Sequence, residues 1–440
     1  MPVNALVVNP WAADFKLYDE WMHPVGLYWL IAFLRHNGAD VSYYNCLSGT
    51  NDSELKSNGT GNFPFRLYPK PELYKSILRH YKLYGQPEES FKKYLLSLPE
   101  PDIIFIGSSM TYWVLGIKET VRVIKQVFPH VPMVIGGTSA ILIPSFLAAS
   151  LPDIHLFKGS LFDRKAIVES GIPLFSSMKA LRREASMLPA FELLTAANHG
   201  PAVSSRGCPL RCSYCASRFL HNRYEARPAS LVAEELGFLQ SRFGVKNFAW
   251  YDDALLYRPR RHFVPLMRAM SQAGINASFH APNGLHVRWL TREVLDTMRS
   301  GGFKTLRFGY ESGSKAFIRD TGGKVCKEEL EKKTGLALGA GFCGGDMGVY
   351  VMAGLAGQSP RDVAEEIKFV ASLSVKAKPV FFSPVPKTPL FEKYSRQFPK
   401  LLETPLSHND TFFILGLPGW DASAVQEIID LAKWYNEKIR

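Results

Sequence analysis

Two blocks in which strand-like and helix-like segments alternate predict an α/β protein, a doubly wound parallel sheet followed by a partial (β/α)6 barrel. The first block fills the first 160 residues; the second restarts at Pro201 and supplies six strand-like runs, each followed by a helix or loop. A loop with three cysteines directly follows the first strand of the second block.

In the first block, "NALVVNP" (Asn4 to Pro10) is a short apolar run ending in Asn-Pro, a strand entering a loop. "PVGLYWLIAFLRHNGADV" has helical apolar spacing at Leu27, Leu30, Ile31 and Leu34 and closes on Asn37-Gly38, a helix-stop signal. "DVSYYNC" is the next strand, and "PDIIFIGSS" and "VPMVIGGTSA" are strands of the fully buried kind, with the helix "LGIKETVRVIKQVFP" between them. "DIHLFKG" is a further strand. Such a sheet binds ligands at the carboxyl ends of its strands. The loops "NPWAADFKLYDEWMHP", "GSSMTYW" and "GGTSA" line that edge. The stretch 47–100 is long, aromatic and basic, and breaks the alternation. It reads either as a cover or substrate platform at the ligand edge, or as a helical insertion packed on its own domain.

In the second block the strands are "PAVSS", "NFAWYDD", "NASFHAP", "KTLRFGYES", "MGVYVMAG" and "PVFFSPV". Helical stretches such as "SLVAEELGFLQSRFG" and "SPRDVAEEIKFVASLS" separate them. The expected organisation is a sheet domain over 1–160 with its insertion at 47–100, a connector over 161–200, the barrel over 201–394, and a tail over 395–440 with a helix at "ASAVQEIIDLAKWYNEKI".

Composition narrows the function classes. Of 440 residues 46% are hydrophobic and 21% charged, which excludes a disordered chain. No apolar run is long enough to span a bilayer. The start "MPVNALVVNPWAADFK" lacks the layout of a secretory leader, so a cytoplasmic location is expected. Six cysteines in so long a chain are no disulfide scaffold, and three crowded together point to metal chemistry in a reducing compartment. The net charge of +12 permits a polyanionic partner such as nucleic acid, but Lys and Arg are dispersed, which favours a solvated basic surface.

The cysteines of "SSRGCPLRCSYCASRF" are Cys208, Cys212 and Cys215, spaced C-x-x-x-C-x-x-C. Three thiolates can hold three corners of a 4Fe–4S cubane and leave the fourth iron open to a small-molecule ligand. The competing reading is zinc completed by His221 or a distant cysteine, and this spacing is a poor zinc motif. Arg206 and Arg211 flank the first two cysteines and would offset the charge of a cluster, or are ordinary loop arginines.

This loop, with Tyr214 before the last cysteine, resembles the signature of radical S-adenosylmethionine enzymes. "WYDDALLY", "LRFGYESGS", "YVMAGLAGQSPRDVAEEIKF" and "FSPVPKTPLFEKY" resemble the second-, fourth-, fifth- and sixth-strand segments of that family, in order. The N-terminal block resembles the Rossmann-like, cobalamin-binding type of domain that precedes the barrel in one class of these enzymes.

The resemblance implies S-adenosylmethionine as the ligand of the open iron, with Tyr214 near its adenine. Glu311 and Ser312 would meet its ribose or amino group, unless Glu311 pairs with Arg307. Asp252 and Asp253 end the second strand, and alternation lets only one of them point inward. Gly354 and Gly357 would let the backbone pass close to the adenosine, though a plain turn also needs glycine. His23 in "DEWMHPVG" matches part of the D-x-H-x-x-G cobalt-ligating motif, but Trp21 replaces its aspartate. Cys46, Cys326 and Cys343 have no assigned role.

The implied activity is reductive cleavage of S-adenosylmethionine to a 5′-deoxyadenosyl radical and cobalamin-dependent methylation of an unactivated centre in a small-molecule or lipid substrate. A flavodoxin or ferredoxin would serve as reductant. The alternatives are a radical cyclase, rearrangement enzyme or oxidoreductase without cobalamin, or, in another class, an iron–sulfur electron carrier or sensor.

Overall fold

The computed structural model describes residues 2–49, 55–176, 178, 188–194, 199–320, 325–355 and 357–439. The chain divides into two compact units: Met1–Ala197 with Lys400–His408, and Asn198–Pro399 with Asn409–Arg440.

The first unit is built on a five-stranded parallel sheet of β1 (Asn4–Asn9), β2 (Asp40–Asn45), β3 (Ile103–Ile106), β4 (Met133–Ile135) and β5 (Ile154–Leu156), in the order β5-β4-β3-β1-β2. Ala5 to Val8 and all of β3 are buried, as central parallel strands covered on both faces must be. The strand order reverses between β1 and β3, so the crevice that can take a ligand opens outside their carboxyl ends. Loops there are stitched tightly. Ser108 Oγ donates to the Gly136 carbonyl at 2.7 Å and accepts from Ser139 N at 3.1 Å. Gly137 has φ +95°, and a Cβ on it would collide with the Ser108 carbonyl.

Helix α1 (Val25–His36) is buried from Leu27 through Leu34, with no solvent stripe. Its outer face is covered by the segment after β5: Tyr28 meets Phe191, Trp29 meets Phe162, and Phe33 meets Phe175. Among its described residues the insertion over 47–100 is built from short strands, a 3-10 turn at Glu72–Tyr74 and the α-helix Glu88–Leu96. Lys82–Tyr84 pairs with Phe65–Leu67 and with Ala12–Asp14 of the loop after β1, and Gly61–Asn62 pairs with Tyr18–Asp19. The insertion thus packs on its own unit and does so against the ligand-edge loop. Helix α2 (Val114–Val127) follows β3, with Gly116 pressed on the Trp11 carbonyl.

The second unit is a six-stranded parallel sheet in sequential order: β6 (Gly200–Ala202), β7 (Asn247–Trp250), β8 (Ser278–Leu285), β9 (Phe303–Glu311), β10 (Met347–Ala353) and β11 (Lys376–Phe381). This is the partial barrel predicted from the alternation. Helices α3 (Ala229–Phe243), α4 (Phe263–Gln272), α5 (Arg292–Ser300), α6 (Lys327–Gly339) and α7 (Pro360–Ser372) alternate with the strands. Their ends carry local signals. α3 stops at Gly244 with φ +66°, and α7 starts on a capping box of Ser359 and Asp362 with Pro360 in its first turn. The predicted C-terminal helix is α8 (Ala422–Asn436). Its Asn436 side chain donates to the Ala377 carbonyl and accepts from the Ala377 amide at 2.8 and 2.9 Å, pairing part of the open edge of β11.

Candidate active site

The cysteine loop leaves the carboxyl end of β6 and is tied at both ends. At its root the Asp252 carboxylate accepts from Ser204 N (3.0 Å), Ser204 Oγ (2.6 Å) and Ser205 Oγ (2.5 Å), while Ser204 Oγ also meets His262 Nε2 at 2.9 Å. Beside it, Arg227 donates to the Val203 carbonyl at 2.7 Å and forms a two-pronged ion pair with Glu235 of α3, both side chains fully inside the protein. Gly207 has φ +70°, and a Cβ there would collide with the Arg223 carbonyl, so only glycine makes the turn into Cys208. At the far end Ser217 Oγ donates to Asp253, and Ser217 N points at Cys215 Sγ, 3.5 Å away. The Ser213 carbonyl accepts from Leu390 N at 2.9 Å, which brings in the segment after β11.

The choice between the two aspartates left open by alternation is thereby resolved into two placements. Asp252 is buried and engaged by serines at the root, and Asp253 is exposed beside the thiols. Burial raises the Asp252 carboxyl above its ordinary range, and the serine donors oppose that. Burial pushes the Cys208 thiol up to about 11, with Asp253, Cys215 and Cys212 adding to the rise, so the three thiols share one neighbourhood with Asp253. Cys208 and Cys212 are half-buried and Cys215 is exposed. Among the described residues no three His, Cys, Asp or Glu side chains are placed to hold a single metal ion. A cubane makes a different demand, since it presents each iron to a separate thiolate.

Tyr214 connects the loop to β9. Its hydroxyl donates to Glu311 Oε1 at 3.4 Å, and its ring lies nearly parallel to that of Phe317, 6.0 Å away. Burial, then Glu311 and Cys212, raise the Tyr214 phenol, so it stays a neutral donor. Glu311 is buried and holds φ +73°, a backbone conformation that costs on the order of 1–3 kcal/mol for a residue with a side chain and persists at functional sites where its surroundings enforce it. The Arg307 guanidinium donates to the carbonyls of Leu306 and Asp346 (3.1 and 3.2 Å). Ser312 is buried, and its hydroxyl accepts from Ser314 N at 3.2 Å.

After β10, Gly354 and Gly357 have φ +91° and +83°. Gln358 Oε1 accepts from the amides of Gly354 and Leu355, so this side chain braces the turn from inside. A Cβ at Gly357 would meet nothing within 4 Å.

His23 belongs to the first unit, half-buried in the turn before α1, where its carbonyl accepts from Val25 N. The position that breaks the histidine motif, Trp21, is buried at φ +62° with its indole NH bonded to the Asn58 carbonyl. Of the remaining cysteines, Cys46 is wholly buried and Cys326 and Cys343 are exposed.

Sequence reasoning missed Arg227, Glu235, His262, Phe317 and Gln358. Arg227, His262 and Phe317 act through Val203, Ser204 and Tyr214, distant in sequence, Glu235 acts through Arg227, and Gln358 acts through a turn.

Comparison with known proteins bears on the family and the fold. Residues 203–370 match the family model of the radical SAM superfamily. A curated relative, an uncharacterized methyltransferase of Pyrococcus horikoshii (PH0819), is 26% identical over 221 residues. That match covers 47% of this chain and 45% of the relative, so the chain spans less than half of the relative's length. Among solved structures, the radical S-adenosylmethionine methyltransferase TsrM from Kitasatospora setae, with cobalamin and a [4Fe-4S] cluster bound, aligns at TM-score 0.69 and 14% identity, covering 98% of this chain and 91% of that one. The cobalamin-dependent S-adenosylmethionine radical enzyme OxsB, with aqua-cobalamin and S-adenosylmethionine bound, aligns at TM-score 0.57 and 13% identity, covering 100% of this chain and 62% of that one. At those identities the likeness is one of fold: a Rossmann-like sheet followed by a partial barrel. No described helix is long and apolar enough to cross a membrane. With the family model lying over the cysteine loop and the strand ends that hold it, the second unit of this chain carries a radical SAM domain.

Proposed function

We propose that this chain is a radical S-adenosylmethionine enzyme that methylates an unactivated centre of a small molecule with the help of cobalamin. The observation that carries the reading is the Tyr214–Glu311 contact, which joins the three-cysteine loop to the carboxyl end of the fourth barrel strand. Cys208, Cys212 and Cys215 would hold a 4Fe–4S cluster with one open iron. When bound, the cluster supplies the electron that cleaves S-adenosylmethionine to a 5′-deoxyadenosyl radical, and cobalamin supplies the carrier of the methyl group.

The chain's own residues do the placing. Glu311 and Ser312 accept from the hydroxyls or ammonium of S-adenosylmethionine, and Asp253 does so beside the thiols. Tyr214 and Phe317 offer aromatic faces on the adenine side, and the turn at Gly354 and Gly357 carries backbone alongside. The edge of the first sheet, at the loops after β1, β3 and β4, would receive the corrinoid. The electron would come from a flavodoxin or ferredoxin. The decisive test is anaerobic reconstitution with iron, sulfide and cobalamin, followed by mass spectrometry of products. Formation of 5′-deoxyadenosine and a gain of one CH2 unit on a substrate support the reading, and S-adenosylmethionine left intact refutes it.

Glu311→Gln keeps the size of the side chain and removes its charge. S-adenosylmethionine affinity is expected to fall by about tenfold or more, roughly 1.4 kcal/mol, with iron content unchanged. Calorimetric titration reads this directly, and an unaltered affinity would leave Glu311 as no more than the structural partner of Tyr214.

For cobalamin, most binding of so large a ligand comes from buried area and backbone contacts along several loops. His23→Ala is therefore expected to retain most cobalamin binding, measured by the visible spectrum after anaerobic reconstitution and desalting. Cobalamin absent from the variant and present in the parent would make His23 a principal anchor.

A further inference from the structure

Strand β9 carries one extra residue against β10. Gly309 is opposite Tyr350 and Glu311 is opposite Val351, which leaves Tyr310 as the bulged residue. At this bulge the two neighbouring side chains go to different partners. Glu311, at φ +73°, reaches Tyr214, while Tyr310 reaches α7. Tyr310 is 1% exposed, and its hydroxyl donates to Glu366 Oε2 at 2.7 Å. Lys327, the first residue of α6, meets the other oxygen of Glu366 at 3.3 Å and lies 4.9 Å from the Phe369 ring. Gly313 closes over this group. A Cβ there would collide with the Tyr310 hydroxyl and the Lys327 side chain, and would stand 3.0 Å from Glu366. Tyr310, Lys327 and Glu366 thus pack against Gly313 of the Glu-Ser-Gly-Ser turn, and the proposed chemistry uses none of the three.

We propose that Tyr310, Glu366 and Lys327 form a latch that holds the β9 bulge and so aims Glu311 at S-adenosylmethionine. They are positioning residues, and the proposal rests on the reading of Glu311 as a ligand of that molecule. A left-handed backbone at a glutamate relaxes unless something holds it, and the buried, charge-assisted hydroxyl–carboxylate bond on the adjacent residue is a contact able to help hold it, beside the pairing of Glu311 with Val351 and its contact with Tyr214.

The test uses the cluster-reconstituted protein and S-adenosylmethionine as the probe, with Tyr310→Phe, Glu366→Gln and Glu311→Gln side by side. Three quantities are read: iron per chain, S-adenosylmethionine affinity by calorimetry, and amide hydrogen exchange over residues 309–313. Tyr310→Phe is expected to keep its iron, to exchange faster over 309–313, and to bind about tenfold more weakly. Glu366→Gln, which keeps an acceptor for Tyr310, is expected to fall between it and the parent. Exchange unchanged in Tyr310→Phe overturns the latch. Affinity lost in Glu311→Gln but kept in Tyr310→Phe also overturns it, leaving Glu311 as the ligand. Affinity kept in both overturns the reading of Glu311 and the latch's purpose with it.

Discussion

Cys212→Ala is expected to leave a folded protein that holds no stable 4Fe–4S cluster and forms no 5′-deoxyadenosine. The argument is ligand count. One loop supplies three thiols, and two thiolates do not retain a cubane. Cys208→Ala and Cys215→Ala should behave in the same way. The loop itself should survive, because its anchors are elsewhere: Asp252 on the serines, Arg227 on the Val203 carbonyl, and Asp253 on Ser217. Circular dichroism should therefore match the parent while iron and sulfide fall to background. Cys326→Ala and Cys343→Ala alter exposed side chains outside the loop and should keep both cluster and activity. Cys46 is wholly buried, and Cys46→Ser should cost stability without touching iron content. Full 5′-deoxyadenosine production by Cys212→Ala would sink the cluster assignment.

The sheet strands were legible because fully buried parallel strands read as apolar runs, as "IIFI" of β3 does. The cysteine loop was legible because its ligands lie within eight residues, so spacing alone encodes geometry. What escaped was set by tertiary pairing. The insertion's short strands find partners in the loop after β1, and strand pairing between such distant segments leaves no periodic trace. Helix α1 shows its four-residue apolar spacing, yet its remaining faces are buried by aromatic residues more than a hundred positions later. The site behaved alike. Glu311 could be picked from its motif, but its left-handed backbone and the Tyr310–Glu366 bond across 56 positions could not. The pair Asp252 and Asp253 was visible, while its division of labour depended on which serine each one met.

Arg227→Ala is expected to destabilise the second unit by about 3–5 kcal/mol, a large share of the stability of a typical domain. The Arg227 and Glu235 side chains are 0% and 2% exposed, so removing the guanidinium strands a carboxylate in the interior. It also takes a donor from the Val203 carbonyl, just before Ser204 and Ser205 at the root of the cysteine loop. Denaturant unfolding monitored by tryptophan fluorescence measures the loss. Replacing both partners, Arg227→Met with Glu235→Leu, removes the stranded charge and should recover most of the stability, because desolvating an ion pair costs much of what its attraction returns. The double variant still lacks the donor to Val203, so its cysteine loop should lose iron faster than the parent's under a chelator even where its unfolding midpoint has recovered. A single variant within 1 kcal/mol of the parent would mean that water or a neighbouring cation reaches Glu235, and the pair would then be no anchor of the loop.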